Sequence, residues 1–325
     1  MGGRHARNIR RHVPGAGVSA VMDVDSARAG ACAEAAGAAV FDDPVELISA
    51  DLVDAVIIAS PDHTHASLAI ACLDHGKPAL VEKPLAREVA DAELVVEREL
   101  SGGRRRLQVG FMRHYDPEHL AIRRAIDSGE IGRPLLFRGW HRNPHEDPPP
   151  SARHVLVGSA VHDLQSARWL LGEEIAEIHV RGVALHPERS TELNLQLITL
   201  SFDGGALATI EVARDTGFGY EVGVEVTGSS GIVSTPRHHG PIVRRAGEIR
   251  QGLDPDWLER FSEAYISEVR AWVASLAGAA SPGPSVWDGY TTLVAALAGV
   301  ESIDRGTPAR LEPVERPALY DGDRT

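Results

Sequence analysis

The sequence reads as an α/β chain in two domains: a parallel sheet wrapped by helices over residues 1–112, then over residues 113–325 a second α/β domain with a large, mostly antiparallel open sheet. Three observations predict this. The chain's 325 residues suit two cores at roughly 100–200 residues each. Short β-branched runs alternate with Ala-rich helical stretches before about residue 112, and longer strands of alternating polarity follow.

In the first half, the apolar run 18–22 ends in Asp23 and the run 53–59 ends in Ser60-Pro61, as strands buried on both faces do. Residues 26–37 and 65–75 read as helices, the second stopped by Gly76, and 79–81 and 107–111 as further strands. The second half reads as helix 117–128, strand 134–140, a Pro-rich loop 144–150 and helix 160–171. Strands 175–183, 193–202, 205–213 and 223–227 follow, with helices at 256–276 and 286–302 and a Pro-containing tail expected to be loosely ordered.

Composition narrows the function. A formal charge of -13, with Arg104-Arg105-Arg106 as the longest basic run, leaves no footprint for nucleic acid or anionic lipid. Cys32 and Cys72 are far apart and without metal-like spacing, so neither a disulfide framework nor a metal site is expected. No apolar run approaches the roughly 20 residues of a membrane span, and the expected setting is the cytoplasm with a small soluble ligand.

A doubly wound nucleotide-binding domain opens with a strand leading into G-x-G-x-x-G. Here Gly2 takes the place of the last glycine, ahead of a helix at 4–11, and the first strand is expected to be missing. Asp23 ends the next strand about where an acid bonds the adenine-ribose hydroxyls and repels a 2′-phosphate, favouring NAD over NADP; alternatively Asp23 and Asp25 cap the following helix.

Glu82-Lys83-Pro84-Leu85 directly follows a strand, at the sheet edge where doubly wound folds bind ligands. Together with Ser60-Pro61-Asp62-His63-Thr64-His65 and Gly110-Phe111-Met112-Arg113-His114-Tyr115-Asp116-Pro117, it resembles the Gfo/Idh/MocA oxidoreductase family. The resemblance runs on through Glu259-Arg260-Phe261-Ser262-Glu263-Ala264-Tyr265. Within the family, His141-Arg142-Asn143-Pro144 after a strand, and Ser159-Ala160-Val161-His162-Asp163, are most like the inositol 2-dehydrogenases.

The resemblance implies a Rossmann domain, NAD as cofactor, and hydride transfer from a secondary alcohol of a cyclic polyol or sugar. Such a reaction needs a base and a cation beside the developing alkoxide. His162 and Lys83 are the catalytic candidates. Arg113, His141, Asn143, Tyr220 and Tyr265 are expected around the polyol. Gly2, Asp23, Ser60, Pro61, His65 and Glu82, with Lys83 and Arg113, are expected along the cofactor. Tyr265 also reads as plain packing, and His162 as a histidine satisfied by backbone.

The chain departs from the family pattern at two positions. The carboxylate that commonly stands four residues before the catalytic histidine is Gly158, and the acid three residues after it is Gln165. Asp163 is adjacent to His162, and neighbours on a helix do not share a face. Two readings follow: an active dehydrogenase, or a homologue that binds NAD or a sugar with weakened turnover. A homodimer or homotetramer covering the open sheet is expected.

Overall fold

The computed structural model describes residues 1–144, 150–186, 192–236, 242–278 and 283–324. Most of the predicted Pro-rich loop, 145–149, lies outside them. The chain forms two compact units: Met1–Tyr115 with Glu263–Leu293 and Glu315–Thr325, and Asp116–Ser262 with Val294–Val314.

In the first unit, α1 (Gly2–His12) leads into β1 (Ala20–Val21), α2 (Ser26–Ala36), β2 (Ala39–Val40), α3 (Pro44–Ser49) and β3 (Val56–Ile58). Next come α4 (His65–Asp74), β4 (Ala79–Glu82), α5 (Val89–Ser101) and β5 (Leu107–Gly110). All strand pairs are parallel, in two ladders: β1 with β2, and β3-β4-β5 in that order. Among the described residues no strand pairs β1 with β3. Every residue of β4 and β5 is buried, as in strands covered by helices on both faces. Val13 of the α1 exit, Leu80 of β4, and Val269 and Trp272 of α10 (Ser262–Leu276) share one apolar cluster.

The second unit holds α6 (Pro117–Asp127), β6 (Pro134–Pro144), the one-turn α7 (Ala152–His154), α8 (Val161–Leu171) and β7 (Ile175–Val183). It continues through β8 (Leu195–Phe202), β9 (Leu207–Thr216), β10 (Glu221–Gly228), β11 (Ile232–Ser234), the hairpin β12 (Ile242–Arg245) and β13 (Glu248–Gln251), and α9 (Trp257–Arg260). Its sheet has the order β11-β10-β6-β9-β8-β7-β14, with β14 at Ala309–Arg310, and is antiparallel except between β6 and β9. One face packs on α6, α8 and the later turns of α11 (Val286–Arg305) through Phe137, Leu164, Ile198, Ile210 and Ala296.

Several elements differ from the sequence expectation. Strand β6 runs to Pro144, so His141 and Asn143 lie within it rather than after it, on the same inward face as Phe137. The helix expected at 160–171 is preceded by a π-helical stretch, Val155–Ala160, a widened turn often found at functional sites. The helix expected at 256–276 breaks at Phe261, where α9 ends and α10 begins. The tail is not loose: Ala318–Arg324 forms a 3₁₀ helix, and Tyr320 is fully buried. Tyr320 stacks on Trp287 at 6.3 Å and donates to Glu99 Oε2 at 3.0 Å. Glu99 in turn accepts the amides of Arg106 and Leu107 at the start of β5. A buried aromatic with a charge-assisted hydrogen bond anchors what proline-rich composition alone reads as free chain.

Replacing Tyr320 by Ala is therefore expected to cost about 3 kcal/mol, and Tyr320→Phe about 1 kcal/mol, in urea unfolding. Equal, negligible losses for both would mean that the tail does not brace α5 and β5.

Candidate active site

Lys83 stands one residue beyond β4, half-buried, and a cis peptide joins it to Pro84. The residue before it is held from α1. Glu82 is buried, with Oε1 2.7 Å from His5 Nε2 on α1. Burial by itself pushes the Glu82 carboxyl upward, but the His5 hydrogen bond, aided by the nearby Lys83 ammonium, holds it below the usual carboxylate range. Gly110, across β5, leaves room for this carboxylate: a Cβ there would lie 3.2 Å from Glu82 Oε2.

His65 joins two of the predicted cofactor segments. Its Nδ1 lies 2.7 Å from the Pro84 carbonyl oxygen and its Nε2 2.9 Å from that of Ser60, with the ring buried. The loop after β3, carrying Ser60 and Pro61, and the loop after β4 are thus tied through one imidazole. Ser60 Oγ also meets Thr64 Oγ1 at 2.6 Å. Gly2 is the first residue of α1, and a Cβ on it would lie 3.8 Å from Ala59 Cβ at the end of β3. Asp25, not Asp23, caps α2 through the amides of Ala27 and Arg28. Asp23 accepts from Arg28 at 2.9 Å, which holds its carboxyl below the ordinary value.

Arg113 is almost wholly buried on the 3₁₀ turn Met112–Tyr115 that follows β5. Tyr265, on α10, packs edge-on to His5 with ring centres 6.1 Å apart, and Arg4 lies over its ring at 5.3 Å. Its packing role is therefore visible.

One acid in this unit was not singled out in the sequence. Glu268, one turn beyond Tyr265 on α10, is fully buried, and among the described residues neither carboxylate oxygen has a hydrogen-bond partner. Burial, and then the charge of Glu82, push its carboxyl well above the ordinary range. It reads in sequence as one more charge on a helix, because nothing in its spacing reveals which face meets the end of β4.

In the second unit, α8 carries His162, buried to 6 % exposure, and Asp163 and Gln165, both buried. His141 projects from the inward face of β6, 4 % exposed, with Nδ1 2.8 Å from Asp163 Oδ2 and Nε2 3.4 Å from the Tyr220 hydroxyl. Tyr220 meets the His141 ring edge-on at 5.8 Å and packs on Phe261 at 6.3 Å, and its amide bonds the Asp254 carbonyl. Asn143, two residues along β6, is buried; its carbonyl accepts from Thr216, and among the described residues its Nδ2 has no acceptor. So His141 and Tyr220 come together, with Asn143 on the same strand face. Sequence reasoning missed Asp163, whose adjacency to His162 on the helix argued against it; its partner comes from the sheet.

Gly158 lies in the π-helical stretch, and the His154 ring packs against it: a Cβ at 158 would stand 3.0 Å from His154 Nε2. Among the described residues, no group of three or more His, Cys, Asp or Glu is arranged to hold a metal ion.

The raised Glu268 group sets a pH dependence. The folded chain keeps a proton there that the unfolded chain releases above its ordinary value of 4.5, so this contribution to stability falls as pH rises. Glu268→Gln removes the titration while keeping the shape. Its melting temperature is expected to gain on the wild type steadily between about pH 5 and pH 9; a difference that does not change with pH would contradict this.

Residues 1–111 match the model of an oxidoreductase family with an NAD-binding Rossmann fold, and residues 119–234 match the GFO/IDH/MocA C-terminal domain. The chain is 48% identical over 325 residues to an inositol 2-dehydrogenase of Rubrobacter xylanophilus, covering 99% of this chain and 94% of that one. It is 40% identical over 326 residues to inositol 2-dehydrogenase 2 of Saccharopolyspora erythraea, covering 98% and 95%. Among solved structures, the myo-inositol dehydrogenase of Lactobacillus casei in complex with NAD(H) and myo-inositol superposes with a TM-score of 0.94 at 30% identity, covering 99% of this chain and 96% of that one. With the parallel ladders, the open antiparallel sheet and these matches over nearly its whole length, the chain belongs to the Gfo/Idh/MocA family of NAD-binding oxidoreductases.

Proposed function

We propose that this protein oxidises a ring hydroxyl of an inositol-type cyclic polyol, with NAD as hydride acceptor, Lys83 as the cation at the reacting oxygen and His162 as a catalytic imidazole. The observation that carries the polyol reading is the inward end of β6. There His141, the Tyr220 hydroxyl and Asn143 Nδ2, which has no acceptor among the described residues, put donors and acceptors on the buried face of the sheet. Buried polar atoms are almost always paired, and a ring of hydroxyls supplies both kinds of partner.

The residues of the first unit fit the cofactor. No side chain caps the first turn of α1, leaving its amides for a pyrophosphate, and Gly2 opens that turn. Asp23, anionic and partly exposed after β1, suits ribose hydroxyls and disfavours the extra phosphate of NADP. Ser60, Pro61, His65, Glu82 and Arg113 are assigned to the same binding region. When bound, the nicotinamide supplies the hydride acceptor.

Lys83 donates to the substrate oxygen as its negative charge grows, a pull strongest where water is excluded. Glu82, bonded to His5, places a carboxylate beside the lysine in the chain. Arg113 and Tyr265 are assigned to the polyol with His141, Asn143 and Tyr220.

We assign the protein to the cytoplasm; no helix among the described residues is long and apolar enough to cross a membrane. The outward face of the seven-stranded sheet exposes Leu197 and Leu207, and we assign it to contact with further copies of the chain.

Replacement of Lys83 by Met is expected to lower NAD reduction by inositols about 100-fold or more in a steady-state assay. A wild-type protein that binds NAD yet reduces none of it with any inositol or pyranose would contradict the reading and favour a ligand-holding homologue.

A further inference from the structure

We propose that α1, β5 and α10 of the first unit enclose an internal water-binding site, lined by the side-chain amides of Asn8 and Gln108 and by a protonated Glu268.

The three elements carry these groups onto one buried layer. Leu80 and Glu82 of β4 stand opposite Gln108 and Gly110 of β5, and residues opposite one another in a parallel pair point to the same side of the sheet. Leu80 clusters with Val13, Val269 and Trp272, and Glu82 meets His5, so this is the side covered by α1 and α10. Each helix turns a stripe toward it: His5, Asn8 and Ile9 of α1, and Tyr265, Glu268, Val269 and Trp272 of α10. His5 meets Tyr265 near the start of both helices, whereas Val13 clusters with residues further along α10. That order brings Asn8 level with Glu268 over the sheet face that carries Gln108.

Asn8 Nδ2, Gln108 Nε2 and both Glu268 carboxylate oxygens are buried, and among the described residues none has a hydrogen-bond partner. The Gln108 amide is oriented by the chain: its Oε1 accepts from the Gly283 N–H at 3.0 Å, so its Nε2 end is the one left to donate elsewhere. Glu268 interacts electrostatically with Glu82 at the end of β4 and with Tyr115 after β5, in agreement with a place over these strands. A buried donor or acceptor without a partner is costly, and donors and acceptors left over in one layer are what an internal water satisfies.

The chemistry selects the occupant. Amide N–H groups repel a cation, and the ionised Glu82 on the same face repels an anion. Water both accepts and donates. It accepts from Asn8, from Gln108 and from the Glu268 O–H, and it donates to the Glu268 carbonyl oxygen. The other ionisable groups around Glu268 are His5 of α1, Glu82 of β4 and Tyr115; His5 gives its Nε2–H to Glu82, so Glu268 keeps its proton and relies on water. The site joins α1, α10 and β5 beside Leu80, two residues before Glu82 along β4.

The test begins with a high-resolution crystal structure of the wild-type protein at mildly acidic pH. An ordered water is expected within about 3.2 Å of a Glu268 oxygen and of Asn8 Nδ2 or Gln108 Nε2. Direct contact of Glu268 with either amide and no water between them would overturn the proposal, as would a bound cation. The infrared difference between wild type and Glu268→Gln is expected to contain the C=O stretch of a protonated, hydrogen-bonded carboxyl; its absence would contradict the protonated form.

Stability gives a second readout. Glu268→Gln keeps a donor and an acceptor for the water, whereas Glu268→Leu displaces it and leaves the Asn8 and Gln108 amides unpaired. At the same pH, Glu268→Leu is expected to melt about 3 °C or more below Glu268→Gln. Combining Glu268→Leu with Asn8→Leu is expected to cost less than the sum of the two separate losses, because both side chains serve one water. A leucine variant as stable as the glutamine variant, or strictly additive losses, would overturn the shared site. Should the leucine variants fail to fold, the crystal density and the infrared band decide.

Discussion

The first unit depends on how a carboxylate is accommodated at the end of a fully buried strand. Glu82 closes β4, whose other residues are apolar and enclosed, and an unpaired charge there would cost several kcal/mol. His5 of α1 resolves this with a 2.7 Å contact, so the helix and the end of the strand are joined by one interaction, one residue before Lys83. Glu268, also buried nearby, cannot share the solution: two carboxylates at close range do not both ionise, and the one without a donor keeps its proton. The anchored Glu82 and the raised Glu268 are two consequences of one burial.

The second unit solves a similar problem in the other direction. A sheet face packed by helices excludes polar groups, yet β6 turns His141 and Asn143 inward along with Phe137. Asp163 answers His141 from the covering helix and Tyr220 answers it from the sheet side, so the polar end of the strand is held in a defined arrangement beside the apolar core. Pre-organised polar groups of this kind spend little energy on reorganisation when a polyol enters.

The sequence was legible where chemistry and periodicity coincide. β-branched runs ending in Ser60-Pro61 and in Glu82-Lys83 reveal strands and place the site at their ends, because buried parallel strands have no alternative composition. Less was legible where a partner arrives from a distant segment. The Asp163–His141 bond spans 22 residues, and neighbour rules on one helix say nothing of a strand beneath it. The hairpin β12–β13 escaped notice because its residues are largely exposed, whereas α5 carried a readable signal, its buried Ala92, Val95, Val96 and Glu99 falling at helical spacing. The return of Glu263–Leu293 and Glu315–Thr325 to the first unit has no local signal, since an amphipathic face does not specify which core it covers.

The central claim, that hydride leaves a polyol carbon for the nicotinamide, is tested most directly with inositol deuterated at its ring carbons. Incubated with the wild-type protein and NAD, it is predicted to give a reduced nicotinamide that carries deuterium at C4, with a matching ketone in the polyol. Binding of both ligands, seen as a stabilising thermal shift, with no deuterium reaching the nicotinamide would contradict it.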